Sequence, residues 1–199
     1  MKQLLRYFLL PAYRPVHTLG VLREDPKRLG RSFAVYAFLC VLYTLTVLVA
    51  HMRGFGPAVE PILKIPAENY YFFQVFFQVP FFIVTNIVFA GIVRLLSAMV
   101  KGQGTFEDIF SILCVSFPLP MMITMWIPET VYFLSHQPGP YNYLPFWLDV
   151  SRQIIGILWP LAVAGIGIAK SERIKWYWAA LFTAVAAIPM MALMVIFIR

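Results

Sequence analysis

Five long apolar runs constrain the fold of this chain more than any other feature of its sequence. Each run approaches the roughly 20 residues that a helix needs to cross about 30 Å of hydrocarbon. The runs are continuously apolar and about twice as long as a strand of a transmembrane barrel. We therefore predict an all-α polytopic membrane protein with five transmembrane helices. The predicted spans are about 32–50, 69–99, 108–127, 153–169 and 176–198.

The remainder of the chain divides around these spans. Hydrophobic residues make up 61% of the chain and charged residues only 13%, which is far from the balance of a soluble domain. The N-terminal residues are basic and space their large apolar side chains as short amphipathic helices do. The sequence thus predicts a basic amphipathic juxtamembrane segment over 1–31 and a five-helix transmembrane domain over 32–198. The first residues show no signal-peptide cleavage pattern, so we expect them to be retained.

A sixth uncharged stretch, between Glu129 and Asp149, does not fit a transmembrane helix. It contains Pro138, Gly139 and Pro140, which would leave backbone polar groups unpaired in lipid. It also contains tyrosine and tryptophan, which are enriched where the membrane meets water. We expect an aromatic loop that lies at the outer interface.

The basic residues are distributed unequally between the two sides of these spans. Of the 16 Lys and Arg residues, 12 lie before span one, beside the loop after span two, or in the loop after span four. The positive-inside rule predicts that these regions are cytoplasmic, with the N-terminus in the cytoplasm and the C-terminus outside. Basic residues so close to the membrane also favour contact with anionic lipids at the cytoplasmic face. We expect no nucleic-acid partner.

The turn between spans two and three, KGQGTFEDIF over 101–110, is a polar island between apolar runs. Gly102 and Gly104 permit a tight turn with positive φ, and Thr105 with Asp108 three residues later predicts a helix-capping box. Glu107 and Asp108 would also lie at the positive end of the helix dipole. The turn is interpreted either as a connector, which we favour, or as a docking or anion-binding site. It lacks the features of a nucleotide-binding glycine loop.

The second span carries an unusual number of polar side chains for a transmembrane helix. Its candidate polar track consists of Gln74, Gln78, Asn86 and Arg94. We favour the interpretation that these side chains bind helices to one another. The alternative is a polar cavity or substrate path through the bundle.

Arg94 lies about 10 Å from the end of its span, at 1.5 Å per residue, which strains any reach to water. We expect its guanidinium to pair with Glu107 or Asp108. On that basis Arg94→Leu should destabilise the fold more than Lys101→Leu.

The sequence offers no arrangement typical of a membrane enzyme. No histidine lies within a span to activate a serine, and the carboxylates lie at the span edges. The cysteines and histidines show no metal-ligand spacing. Asp149 and Arg152, three residues apart, are expected to form a local ion pair. We therefore predict no catalytic residues, no metal site and no cofactor.

Short motifs link the chain to a known family. The Gly-x-Gly-Thr-Phe turn precedes a proline element, SFPLP, that contains Pro118 and Pro120, and the basic segment LREDPKRLGRSF, with Asp25 and Pro26, precedes span one. With five spans and a cytoplasmic N-terminus, these features resemble the bacterial branch of the Ypt/Rab-interacting protein (Yip) domain family over roughly residues 14–198. The resemblance implies a five-helix protein of a bacterial cytoplasmic (inner) membrane.

Eukaryotic members of that family have a longer cytosolic N-terminal region, are linked to Rab-type GTPases and act in vesicle traffic and membrane shaping. Their Asp-Leu-Tyr-Gly-Pro type signatures do not occur here, so the resemblance does not imply Rab binding. We predict a non-enzymatic, membrane-organising or complex-forming protein, with a membrane-protein partner or a second copy of itself. The alternative is a small-solute or lipid permease component whose polar path follows span two.

Overall fold

The computed structural model describes residues 2–57, 62–138 and 145–197. The fold is 85% helical, without strands in the described residues. A short 3-10 turn (Ala67–Asn69) and a π-helical turn (Met122–Trp126) accompany the α-helices. The α-helices are α1 (Lys2–Tyr13), α2 (Pro15–Glu24), α3 (Arg28–Met52), α4 (Tyr70–Met99), α5 (Phe106–Ser116), α6 (Pro118–Met121), α7 (Ile127–Ser135), α8 (Phe146–Glu172) and α9 (Trp176–Phe197).

Five of the helical stretches are long and apolar enough to cross a membrane, which confirms the predicted fold class. They are Arg28–Met52, Ala67–Met99, Phe106–Ser135, Phe146–Glu172 and Trp176–Phe197. The prediction of a loop from Glu129 to Asp149 is wrong at both ends. The helix of the third span continues to Ser135, and that of the fourth begins at Phe146. The centre of that predicted loop, residues 139–144, lies outside the described residues.

The third span lies at the centre of the bundle and is built from several short helical pieces. Of its most apolar 18 residues, 72% are buried, against 22–44% in the other four spans. Pro118 opens α6 and Pro128 lies in the first turn of α7. Proline has no N–H to donate, so each interrupts the helical hydrogen bonds, and the π-helical turn falls between them. The proline element is therefore where the central span leaves regular α-helical geometry.

The other spans surround this centre in the order α3, α4, α9 and α8, each packed against the next. Helix α1 lies on the remaining side, where it contacts both α3 and α8, while α2 packs mainly on α8. Tyr7, Leu19 and Leu22 of these two helices are buried in the main hydrophobic core. The amphipathic segment is therefore an integral part of the bundle.

A contact among three residues holds α1 to the start of the first span. The Tyr7 hydroxyl donates to the Asp25 carboxylate, and Arg31 Nη1 lies 2.6 Å from the same oxygen. The Tyr7 hydrogen bond is the main reason that the pKa of Asp25 lies below its usual value. Burial is the main reason that the pKa of Tyr7 rises to about 12. Near neutral pH, Tyr7 is therefore a donor and Asp25 an acceptor.

The docking of α1 should depend on pH through Asp25. A carboxyl with a lowered folded pKa contributes stability above its unfolded pKa, about 4, and this stability is lost as the pH falls through the folded value. We therefore expect α1 to stay docked between about pH 5 and 8 and to loosen below about pH 4. Asp25→Asn should loosen it at neutral pH, measured as faster hydrogen exchange of the α1 amides. Glu24→Gln, at the exposed neighbouring residue, is the control, and equal exchange in the two variants would contradict this role of Asp25.

Candidate functional site

The turn after the second span contains the predicted capping box. Thr105 Oγ1 accepts from the Asp108 backbone N–H at 3.2 Å, and Asp108 Oδ2 accepts from the Thr105 N–H at 3.1 Å. The predicted positive φ of the two glycines is wrong, because the left-handed residue of the turn is Lys101, with φ 61°. Glycine is needed at positions 102 and 104 for a different reason: another helix approaches the backbone of the turn closely there.

That helix is α8, whose last residue, Glu172, lies against the turn and is fully buried. Glu172 Oε2 accepts from the Gly104 N–H at 3.1 Å, and the Glu172 carbonyl accepts from the Gln103 N–H at 3.0 Å. A Cβ atom on Gly102 would lie 2.3 Å from Glu172 Oε2, and one on Gly104 would lie 2.9 Å from Glu172 Oε1. Only glycine at both positions leaves room for this carboxylate.

Arg94 supplies the positive charge beside Glu172. Its Nη1 lies 3.1 Å from Glu172 Oε2 and 3.4 Å from the Gly102 carbonyl oxygen. The prediction that Arg94 pairs with Glu107 or Asp108 is therefore wrong. Glu107 is exposed, and Asp108 pairs with Arg28 at 2.9 Å, which joins the turn to the first span.

Together these residues form the inner cluster, which ties four helices at one end of the bundle. Its members are Arg28 of α3, Arg94 of α4, Gly102 and Gly104 of the turn, Asp108 of α5 and Glu172 of α8. Ser97 Oγ, Ser171 Oγ and Glu172 Oε1 are buried near it without a hydrogen-bond partner among the described residues. Such atoms usually indicate a bound water or ligand. The cluster joins these helices through two ion pairs and a hydrogen bond to the backbone of the turn.

Three of the four residues of the predicted polar track are almost fully buried. Gln74 is 1% exposed, Gln78 0% and Asn86 3%. Gln74 Nε2 donates to Gln78 Oε1 at 3.3 Å, and Asn86 Nδ2 approaches Cys114 Sγ of the central span at 3.7 Å. Arg94 belongs to the inner cluster. The track is thus divided into separate contacts, and none of its residues lines the cavity between α2, α5 and α8.

The two glutamine amides should act as a unit. We expect Gln78→Leu alone to lower the free energy of unfolding by about 1–3 kcal/mol, because the Gln74 amide stays buried without its partner. Replacing both residues with leucine should cost less than the two single changes added together. The free energy of unfolding of all three variants can be measured in mixed detergent micelles. Strict additivity would mean that the amides do not interact and would favour a solvated polar path.

A second group of charges, the outer cluster, lies at the other end of the bundle. It consists of Tyr43, Glu129, Asp149 and Arg152. The predicted Asp149–Arg152 ion pair is confirmed, and Arg152 Nη1 also lies 2.7 Å from Glu129 Oε1. The Tyr43 hydroxyl donates to Glu129 Oε2 at 2.6 Å. This cluster joins the first, third and fourth spans.

Sequence reasoning did not identify Glu172 or Glu129 as members of these clusters. Glu172 is separated from Gly104 by 68 residues, and Glu129 from Arg152 by 23. The signal that was available is the glycine pair itself, because glycines beside a helix end permit a buried acidic group to approach the backbone. No group of three or more metal-binding side chains occurs within the part of the chain that the structure describes.

Comparison with known proteins matches the chain to a family. The model of the Yip1 domain matches residues 12–198, which is nearly the whole chain. Neither the curated proteins nor the solved structures contain a significant match. The match includes the polar turn, the proline element of the central span and both clusters. Five membrane-spanning helices and this match show that the chain is an integral membrane protein of the Yip1 domain family.

Proposed function

We propose that this protein is a non-enzymatic, membrane-organising component of a bacterial cytoplasmic (inner) membrane, in the bacterial branch of the Yip1 family. It lies with its N-terminus in the cytoplasm and its C-terminus outside. It binds a membrane-protein partner or a second copy of itself. The observation that carries the proposal is that the charged groups of the spans pair between helices, Arg94 with Glu172 and Arg152 with Glu129.

This internal use of polar groups argues against both catalysis and transport. A transport path requires polar side chains that face an open cavity. Gln74, Gln78 and Asn86 are instead buried, with Gln74 bonded to Gln78 within α4 and Asn86 beside Cys114 of the central span. A proton relay or hydrolase requires a carboxylate available to substrate. Glu129 and Glu172 are instead held in ion pairs with Arg152 and Arg94.

The outer surfaces of the spans suit contact with lipid or another membrane protein. On α3, Phe38, Val41 and Leu45 form an exposed row at helical spacing, each more than half exposed. On α9 the alanines divide by face: Ala179 and Ala187 are buried inside the bundle, while Ala184 is exposed. Apolar outer faces with exposed small residues allow another transmembrane helix to pack closely against the bundle.

The experiment that tests the proposal is mass spectrometry of the protein extracted in native-lipid nanodiscs. Wild type is compared with the variant in which both Gln74 and Gln78 are replaced by leucine. A recurrent protein partner, or a second copy at fixed stoichiometry, in both samples is the expected result. A small molecule present in wild type and lost from the variant would overturn the proposal in favour of the permease alternative.

The proposed orientation can be tested with two matched cysteine variants. Lys64 and Lys101 are both exposed and lie beyond opposite ends of α4, whose 30 residues span about 45 Å. The native cysteines, Cys40 and Cys114, are both buried. In intact cells with a permeabilised outer barrier, an impermeant maleimide should label Lys64→Cys and should label Lys101→Cys only after lysis. The reverse labelling pattern would show that the topology is opposite to the one proposed.

A further inference from the structure

A cavity of about 140 Å³ lies between α2, the start of α5 and the end of α8. It is at the same end of the bundle as the inner cluster, and therefore at the end that the charge distribution places in the cytoplasm. One wall is apolar and is formed by Leu19, Leu22 and Ile112. The rest of the lining includes basic side chains and the hydroxyl of a serine. The cavity, which we call the α2–α8 pocket, thus has an amphiphilic lining.

The rim carries more positive than negative charge. Three cations, Arg23, Arg28 and Lys170, line the pocket together with a single carboxylate, Asp108. Asp108 is already paired with Arg28 at 2.9 Å, and Lys170 Nζ donates to the Val16 carbonyl at 3.0 Å, which leaves its other N–H groups available. Arg23 is exposed, and it interacts electrostatically with Glu172, whose salt bridge is to Arg94. The pocket therefore has a net positive charge.

A buried hydroxyl in the same pocket lacks a partner. Ser171 is only 5% exposed, and its Oγ has no hydrogen-bond partner among the described residues. A buried hydroxyl without a partner costs free energy that a ligand oxygen would recover. Gly167, one turn before Ser171 on α8, allows Leu19 of α2 to pack closely, since a Cβ there would lie 2.7 Å from Leu19 Cδ1. The close packing of α2 on α8 is what forms the pocket.

We propose that the α2–α8 pocket binds the phosphate group of a phospholipid headgroup. Arg23 and Lys170 bind the phosphate charge, the Ser171 hydroxyl donates to a phosphate oxygen, and the apolar wall contacts the glycerol and the first acyl carbons. Arginine and lysine form strong charge-assisted hydrogen bonds to phosphate, and basic side chains at the cytoplasmic interface bind anionic lipid headgroups. The apolar wall favours a lipid over free phosphate. This site goes beyond the proposed function, because it depends on the pocket alone and is compatible with an organising or a transporting protein.

The test is binding of short-chain lipids to the full-length protein in detergent, measured by native mass spectrometry and titration. The probes are dioctanoyl phosphatidylglycerol, dioctanoyl glycerol and inorganic phosphate. We expect tight binding of the phosphatidylglycerol and weak binding of the other two. Arg23→Gln and Ser171→Ala should each weaken it about tenfold, the loss expected when one hydrogen bond to a charged group is removed. Both changes are conservative, and unchanged melting temperatures without lipid will show that the variants fold.

Arg14→Gln is the matched control, because Arg14 precedes α2, is exposed and does not line the pocket. It should bind the lipid as wild type does. Equal weakening in Arg14→Gln and Arg23→Gln would indicate general surface attraction and would overturn the proposal. Inorganic phosphate bound as tightly as the lipid would overturn the lipid source and assign the pocket to a soluble phosphate compound. Either result can be told apart from failure of the organising role, which the nanodisc comparison measures separately.

Discussion

Replacing Arg94 with leucine should lower the free energy of unfolding by about 3 kcal/mol, because it leaves a buried carboxylate without its counter-charge. Glu172 is fully buried, and Arg94 Nη1 at 3.1 Å is the cation that faces it. The Gly104 N–H would remain as a donor, but a single neutral hydrogen bond does not compensate a buried charge. Unfolding in mixed detergent micelles provides the measurement.

The matched control is Lys101→Leu, which removes a cation from the same end of α4. Lys101 is exposed, so its loss should change the free energy of unfolding by no more than about 0.5 kcal/mol. Replacing both Arg94 and Glu172 with leucine should recover much of the loss, since a buried ion pair can often be exchanged for apolar side chains at little cost. If Arg94→Leu and Lys101→Leu have equal melting temperatures, the Arg94–Glu172 pair does not stabilise the fold.

The contacts that sequence predicts in this protein are the local ones. Thr105 and Asp108 are three residues apart, as are Asp149 and Arg152, and both pairs form as expected. A spacing of three places two side chains on the same helical turn, so the contact needs no knowledge of the tertiary fold. The partner of Arg94 lies 78 residues away on another span, and only helix packing brings it close. The sequence therefore predicted a partner for Arg94 close by in the chain, Glu107 or Asp108, whereas the partner in the structure is Glu172.

The fold itself could be predicted because the membrane restricts the choices. A long apolar run in lipid has to be a helix, so five runs give five spans. The amphipathic N-terminal residues were also recognised, but their burial against α3 and α8 depends on a gap in the ring of spans that only the structure shows. The glycines of the turn illustrate the same limit. Glycine is required both for positive φ and for close approach of another group, and only the position of Glu172 distinguishes the two.

Replacing Arg152 with methionine, at the other end of the bundle, should lower the free energy of unfolding by an amount similar to that of Arg94→Leu. Arg152 is 6% exposed, and its guanidinium pairs with both Glu129 and Asp149. Its Nη1 also lies 3.5 Å from the Thr124 carbonyl oxygen. Pro128, four residues later, has no N–H to donate to that carbonyl. Arg152 thus contacts two carboxylates and a backbone carbonyl of the π-helical turn.

We expect Arg152→Met to lower the free energy of unfolding by about 3–5 kcal/mol, because Glu129 would stay buried without the cation that pairs with it, beside the neutral Tyr43 hydroxyl. Gln153→Met is the control, since Gln153 is exposed and also binds Asp149, at 2.7 Å. It should cost no more than about 0.5 kcal/mol. Replacing Glu129 with leucine in the Arg152→Met background should restore part of the stability, because the unpaired carboxylate is then gone. If that double variant is no more stable than Arg152→Met, the guanidinium acts through Thr124 and Asp149, and its pairing with Glu129 contributes little.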